Sequence, residues 1–340
     1  MEDRYLIIAD DFTGANDTGV QLRRRGFATE VLFAGKPVGT EHSVVIDTES
    51  RTVHPDHAYE IVSHAVENVD FGGFRFVIKK VDSTMRGNIA SEVKAVDEKF
   101  RPELMIFAPA LPDLGRTTVD GVQCLNGTEI CRTELALDPK NPVVEDNLVR
   151  MLAAVYDEKV FLKRLPDVRG KDLTFEEGRI YACDAETNDD LKKILLAAGR
   201  TGKKILYIGT AGLADNLMQL ERPSLPAFGV VASVSTVTNR QMKYCEGKGI
   251  TMVQIPVHRI LSGEEDTAPY LEQAMEALKR GEDTILLANT SYNREELELS
   301  FEAGEKLGLG PVETGDKVRS IIGHLAMQVL EQVPVSGVFL

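Results

Sequence analysis

Short apolar runs rich in Ile, Val and Phe recur along this chain, and stretches of helical period separate them. Tyr5–Ala9, Ala28–Phe33, Ser43–Asp47, Phe76–Lys79 and Leu104–Ala108 read as strands; Ala15–Arg25, Asp56–Val69 and Ile89–Lys99 read as helices. Alternation of this kind builds βαβ units, so an α/β fold is expected, with a mainly parallel sheet flanked by helices on both faces. Sheets of that class bind ligands outside the carboxyl ends of their strands. Asp10, Lys80 and Pro109 fall at such ends.

The pattern resumes at Lys204–Ile208, after which "GTAGLADNLMQL" turns into a helix. "ERPSLPA" at 221–227 has two prolines and no periodicity and reads as a linker. Beyond it come "FGVVASVS", a helix near Asn239–Glu246, a strand at Met252–Ile255, a helix at Ala268–Lys279 and a strand at Thr284–Ala288. With 340 residues, two domains are expected, 1–225 and 226–340, with a cleft between them. The final "VPVSGVFL" reads as the start of a buried strand, and the C-terminal domain is expected to be incomplete, with apolar residues exposed near Val338–Leu340. An exposed strand edge invites pairing, so a homodimer is a further expectation.

The net charge of −14 argues against general nucleic-acid binding, though not against an anionic small ligand held in a locally basic cleft. No apolar run is long enough for a membrane helix, and the acidic start "MEDRYLIIAD" is not expected to be a signal peptide. Cys124, Cys131, Cys183 and Cys245 form no CxxC pair, which fits a reduced, cytoplasmic setting. The six histidines lack metal-ligand spacing, and no metal site in the protein itself is expected. A GxxxxGK[ST] loop, a GxGxxG loop and a GxSxG elbow are all missing from the sequence.

Four stretches carry chemistry. In "IIADDFTGANDTG" a strand stops on Asp10 and Asp11, followed by Thr13, Gly14 and a third acid, Asp17. Helix capping accounts for Thr13 or Asp17, but adjacent acids repel unless a cation or a hydroxyl stands between them. "KKVDSTMRGN" packs Lys79, Lys80, Asp82, Ser83, Arg86 and Gly87 into a strand end and turn. Arginine offers a planar fork to a carboxylate, and aspartate accepts from hydroxyls, so this set suits a small polyhydroxy acid. An ion pair between Asp82 and Arg86 alone would be the plain alternative. "APALPDLGRTTVDG" sets Arg116 beside two threonines, where turn formation explains only the prolines and glycines. "VVASVSTVTNRQM" gathers Ser233, Ser235 and Thr238 ahead of a helix, a setting that binds phosphate and also caps helices.

Together these stretches resemble the four-carbon acid sugar kinase family, through "IADDFTGANDTGVQ", "KKVDSTMRGN", "PALPDLGRTTVDG", "GTAGLA" and "ASVSTVTNRQ". The resemblance implies an N-terminal domain that binds a sugar acid and a C-terminal domain that binds ATP. It also implies phosphorylation of the terminal hydroxyl of threonate, erythronate or 3-oxo-tetronate. Asp10, Asp11, Lys79, Lys80, Asp82, Ser83, Arg86, Gly87 and Arg116 would then serve the sugar acid, and Ser233, Ser235 and Thr238 the nucleotide, with Mg2+. The family's usual glycine is Ala232 here, and the family continues past "SGVFL" into a glycine-rich phosphate loop that this sequence does not contain. Without that loop, a non-catalytic sugar-acid-binding protein is the alternative. A haloacid-dehalogenase-like phosphatase needs two acids separated by one residue, whereas Asp10 and Asp11 are adjacent.

Asp82 lies near Lys80 and Arg86, which should lower its pKa; repulsion between Asp10 and Asp11 should raise one of theirs. On that ground Asp11 or Asp10 is the expected catalytic base, with preference for Asp11.

Overall fold

The computed structural model describes residues 4–223, 225–293 and 295–340. Residues 1–3 of the acidic start and Ser224 of the linker candidate lie outside the described residues. The chain forms two compact units, Met1–Arg222 and Pro223–Leu340.

In the first unit the strands are β1 (Tyr5–Ala9), β2 (Thr29–Phe33), β3 (Ser43–Asp47), β4 (Phe76–Lys80), β5 (Leu104–Ala108), β6 (Arg116–Val119), β7 (Val122–Leu125), β8 (Thr128–Glu129), β9 (Val160–Lys163), β10 (Ile180–Cys183) and β11 (Ile205–Gly209). Its helices are α1 (Phe12–Arg24), α2 (Pro55–Ala65), α3 (Ile89–Phe100), α4 (Leu148–Ala153), α5 (Leu165–Arg169), α6 (Asn188–Gly199) and α7 (Ala211–Glu221). Eight strands form one sheet in the order β2-β3-β1-β4-β11-β5-β10-β9, and every pairing in it is parallel. Because helices cover both faces, the central strands are apolar on both sides: all five residues of β1, "YLIIA", are buried. One face packs against Ala15 and Leu22 of α1, Ile194 of α6 and Leu213 of α7. The other packs against Val62 of α2, Val93 and Val96 of α3 and Leu152 of α4.

A small antiparallel sheet, β6-β7-β8, follows β5. Its two hairpins turn on Asp120–Gly121 and Asn126–Gly127, all four at positive φ (50°, 76°, 50° and 80°). Two-residue turns of this kind match the twist of the flanking strands, and glycine or Asn/Asp meets their left-handed backbone at least cost. Asp184 fixes the first hairpin by accepting from the amides of Asp120 and Gly121, at 2.8 Å each.

The second unit contains β12 (Ala227–Val231), α8 (Thr236–Cys245), β13 (Thr251–Ile255), α9 (Val257–Ser262), α10 (Ala268–Lys279), β14 (Thr284–Ala288), α11 (Glu295–Lys306), α12 (Pro311–Gln332) and β15 (Gly337–Phe339). Its sheet, β13-β14-β12-β15, is also wholly parallel. Phe228, Val253 and Leu286 pack against Leu278 of α10 and Ile322, Leu325 and Val329 of α12. At the β15 edge Val338 and Phe339 are exposed. None of the helices among the described residues is long and apolar enough to cross a membrane.

Candidate active site

The two acids that end the first strand converge on one cation. Arg51, four residues past β3, donates from Nε to Asp10 Oδ2 at 2.7 Å and from Nη2 to Asp10 Oδ1 at 3.0 Å. Its Nη1 donates to Asp11 Oδ2 at 2.8 Å and lies 3.8 Å from Asp82 Oδ1. The guanidinium therefore touches all three candidate acids. Burial would lower the Arg51 pKa, but the hydrogen bond and charge of Asp10, with Asp82 and Asp11, outweigh it and hold the group firmly protonated. The two adjacent acids, expected to repel each other, share this cation.

The two acids differ in access. The Asp10 side chain is 2% exposed and both its oxygens are committed to Arg51. The Asp11 side chain is 22% exposed, and its Oδ1 caps α1 by accepting from Gly14 N at 2.9 Å.

The turn after β4 is wound around the Asp82 carboxylate. Thr84 N (3.2 Å), the Thr84 hydroxyl, Arg86 Nε (3.0 Å) and Arg86 Nη2 (3.1 Å) all donate to it. Closing so tight a loop puts Met85 at φ 62° and Gly87 at φ 96°, and a non-glycine residue in that region stores strain of the kind found at functional sites. Burial alone would push the Asp82 carboxyl up, yet the hydrogen bonds from Arg86 and Thr84, and the charges of Arg51 and Arg86, hold it down at about 2. The lowered pKa expected from sequence is therefore found. From the small antiparallel sheet, buried Gln123 donates to the carbonyls of Ser83 and Pro109, at 3.2 Å each, and so braces this loop.

A cavity of about 390 Å³ opens at this carboxyl edge of the large sheet. Asp11, Thr13, Gly14, Asp17, Arg51, Lys80, Asp82, Ser83 and Arg86 line one part of it, and Leu111, Leu114, Thr210 and Ala211 the rest. Lys80 is buried and donates to Val81 O at 3.1 Å; burial lowers its pKa against the opposing pull of Asp10 and Asp82. Gly87 does not line the cavity, but a Cβ there would stand 3.0 Å from Arg51 Cγ and 3.5 Å from Asp10 Oδ2. It leaves room for the Arg51–Asp10 pair.

Two expected site residues are elsewhere. Lys79 is fully buried and pairs with Glu92 Oε2 at 2.8 Å. Successive residues of a strand point to opposite faces, so Lys79 and Lys80 cannot serve one pocket. Arg116 belongs to β6 and turns its Nη1 back onto the Leu114 carbonyl instead of lining the cavity. Thr118, its neighbour in the same motif, is a buried donor to Gln123. Arg51, conversely, escaped the sequence reading. Its signal was position alone: it follows a parallel strand, in a loop with Thr48, Ser50 and Thr52 but none of the glycines that mark the other loops.

Ser233, Ser235 and Thr238 cluster at the N-terminus of α8. Ser235 Oγ accepts from Thr238 N at 3.1 Å, and the three hydroxyls lie within 3.1 Å of one another along the chain of contacts. Ser233 and Val234 also line a cavity of about 450 Å³, walled by Leu297, Phe301, Pro311, Val312 and Val318.

Two carboxyls set opposite pH dependences. Asp82 has its pKa depressed from 3.8 to about 2, so its stabilisation is present above its unfolded value and lost as pH falls through about 2. Buried Asp47, whose Oδ2 has no partner among the described residues, is pushed up to about 6, chiefly by burial. Its folded form holds the proton more tightly, so its contribution is present below 3.8 and lost as pH rises through about 6. Asp47→Asn is expected to raise Tm at pH 8 and leave it unchanged near pH 4; Tm measured across that range checks the sign.

Residues 5–217 match the family described as a sugar-binding N-terminal domain, and residues 228–340 one described as a nucleotide-binding C-terminal domain. A D-threonate kinase of Salmonella typhimurium is 35% identical, over 99% of this chain and 83% of its own length. A D-erythronate kinase of Heliobacterium modesticaldum is 31% identical, over 75% of this chain and 63% of its own. Among solved structures, a domain of unknown function from Bordetella bronchiseptica, a domain-swapped dimer with bound citrate, shares the fold with a TM-score of 0.59 at 23% identity, covering 98% of this chain and 82% of that one. The chain belongs to the four-carbon acid sugar kinase family.

Proposed function

We propose that this protein transfers the γ-phosphoryl group of ATP to the terminal hydroxyl of a four-carbon sugar acid of the threonate, erythronate or 3-oxo-tetronate type. The observation that carries this reading is the cavity that gathers Asp11, Arg51, Lys80, Asp82, Ser83 and Arg86 at one sheet edge. A sugar acid has one carboxylate and several hydroxyls. Arg86 and Ser83 present donors to the carboxylate, and Asp11, Asp17 and Asp82 present acceptors to the hydroxyls. Charges in the cavity balance, with Lys80, Arg51 and Arg86 against three acids, so an added anion is held without a large net repulsion.

The donor set before α8 fits a phosphate: three hydroxyls at the N-terminus of a ten-residue helix, whose dipole favours an anion. The adjoining apolar cavity fits a purine ring. Among the described residues no three His, Cys, Asp or Glu side chains group around a cation position. Mg2+ would therefore arrive on the nucleotide phosphates and take at most one or two carboxylates from the protein. Bound ATP supplies the phosphoryl group. The chain's own part is to orient the acceptor hydroxyl, take its proton on Asp11, and hold positive charge where negative charge develops. Use of ATP favours a cytoplasmic setting, and the exposed β15 edge supports a homodimer.

The test is a panel of four-carbon acids with ATP and Mg2+, read by ADP release. Turnover of at least one acid supports the proposal. Tight acid binding without ADP release would point instead to a sugar-acid-binding protein.

Gly14 gives a sharper prediction. A Cβ there would stand 2.7 Å from Asp11 Oδ1 and 2.8 Å from Lys80 Nζ, closer than real Cβ contacts. Gly14→Ala is expected to displace both groups and lower kcat/KM by about 10²-fold, although alanine ordinarily favours a helix. Steady-state kinetics beside a thermal melt checks it.

A further inference from the structure

Behind the cavity lies a buried polar chain that the proposed reaction does not touch. Lys79 Nζ pairs with Glu92 Oε2 at 2.8 Å and donates to Lys80 O at 2.9 Å. The other Glu92 oxygen, Oε1, accepts from Ser50 Oγ at 2.7 Å. Ser50 Oγ also lies 2.7 Å from Thr48 Oγ1, which donates to Ala9 O at 2.7 Å. Lys79 and Ser50 are 0% exposed, Glu92 1% and Thr48 4%.

A buried Lys–Glu pair is poor value as a source of stability. Removing two charges from water costs about what their attraction returns, and well-packed apolar residues do as well or better. What this pair does supply is a fixed carboxylate oxygen, aimed from α3 at the loop that carries Arg51. Asn88, one turn earlier, holds the same loop by donating to Ser50 O at 2.9 Å and Val53 O at 2.8 Å. The Arg51 amide in turn donates to Asp10 O at 3.2 Å. Arg51 has a long side chain with many rotamers, and its three-way contact with Asp10, Asp11 and Asp82 requires a backbone that does not move.

We propose that Glu92 is a positioning residue: anchored by Lys79, it grips Ser50 and so fixes the loop that lays the Arg51 guanidinium across Asp10 and Asp11. This inference rests on the reading of the cavity as the sugar-acid site. Neither Glu92 nor Ser50 lines the cavity, so both act through Arg51.

The decisive variant is Lys79→Met with Glu92→Leu, which replaces the pair by apolar side chains in a layer already formed by Val93, Val96 and Ile208. Tm is expected to stay level or rise, while kcat/KM for the best acid of the panel falls by about 10²-fold. Wild-type kcat/KM in a folded double variant overturns the proposal. Ser50→Ala, a smaller change, is expected to give the same loss, and it decides the matter if the double variant does not fold. In an Arg51→Ala background Ser50→Ala should add no further loss; an additive loss overturns the claim that it acts through Arg51. A readout free of substrate separates this inference from the function proposed above. The Arg51 Nε–H NMR signal should exchange slowly in the wild type and fast in Ser50→Ala. Unchanged exchange sinks the positioning role. Slow exchange in the wild type and fast exchange in Ser50→Ala, with no turnover of any acid, would sink only the kinase reading.

Discussion

Arg51→Ala is expected to lower kcat/KM by about 10³-fold or more and to lower Tm as well. The two effects share one cause. Asp10 is buried with both oxygens on the guanidinium, and removing one partner of such a pair leaves an uncompensated charge, at a cost of about 3–5 kcal/mol. In a unit of this size that corresponds to a fall in Tm of about 6–20 °C. The kinetic loss has a second source. Arg51 lines the cavity and is in contact with Asp10, Asp11 and Asp82 together. Without it the three acids repel one another and the entering carboxylate, and preorganised positive charge is missing where phosphoryl transfer develops negative charge. Arg51→Lys keeps the charge but loses the fork, so it should recover much of the Tm and little of the rate. If Arg51→Lys turns over at the wild-type rate, the planar three-way contact is not what the site needs. Equilibrium binding of the acid beside kcat and KM separates a lost anchor from lost transition-state stabilisation.

Much of this architecture was legible because βαβ packing leaves strong marks. Strands buried on both faces must be apolar along their whole length, and β1, β3, β5 and β14 were readable to within a residue. Helix limits were less clear. α1 starts at Phe12, three residues before the expected start, because the Asp11 cap lets the helix begin among polar residues. The β6–β8 sheet went unread although its marks were present. "VDGV" and "LNGT" are two-residue hairpin turns, and the flanking strands are merely too short for a periodic signal. Reading them would have assigned Thr118 and Gln123 to a brace behind Ser83.

The site was legible as loops rather than as side chains. The first two motifs did converge, because both follow adjacent parallel strands, β1 and β4. Strand order explains Arg51 too: β3 is the other neighbour of β1, so the loop after it ends at the same edge. That order cannot be seen in one sequence, where β3 is only the third run of apolar residues. The pair Lys79 and Lys80 shows the opposite error, since adjacency along a strand was read as adjacency in space.

Asp11→Asn is expected to cut kcat by about 10²–10⁴-fold, the range of a lost general base, while acid binding changes only a few-fold. The choice among the acids follows from access and engagement. Asp10 is enclosed and does not line the cavity. Asp82 lines it, but its pKa near 2 makes it a weak proton acceptor, fitted to holding a hydroxyl or fixing Arg86. Asp11 lines it at the end of a strand, beside the glycine turn, with its carboxylate oriented by the Gly14 amide on one oxygen and by Arg51 on the other. An acceptor hydroxyl can approach the remaining lone pairs, and asparagine in that place would keep the cap but could not take the proton. Asp17, on the second turn of α1, lines the same cavity and is the rival. The comparison is therefore Asp11→Asn, Asp17→Asn and Asp82→Asn, each with kcat and acid affinity measured at one pH. A dead Asp17→Asn beside an active Asp11→Asn would move the proton to α1. With Asp11→Asn near wild type and Asp82→Asn dead, the acid held by Arg86 would have to be the base despite its low pKa, drawing on a proton that leaves only as the phosphoryl bond forms.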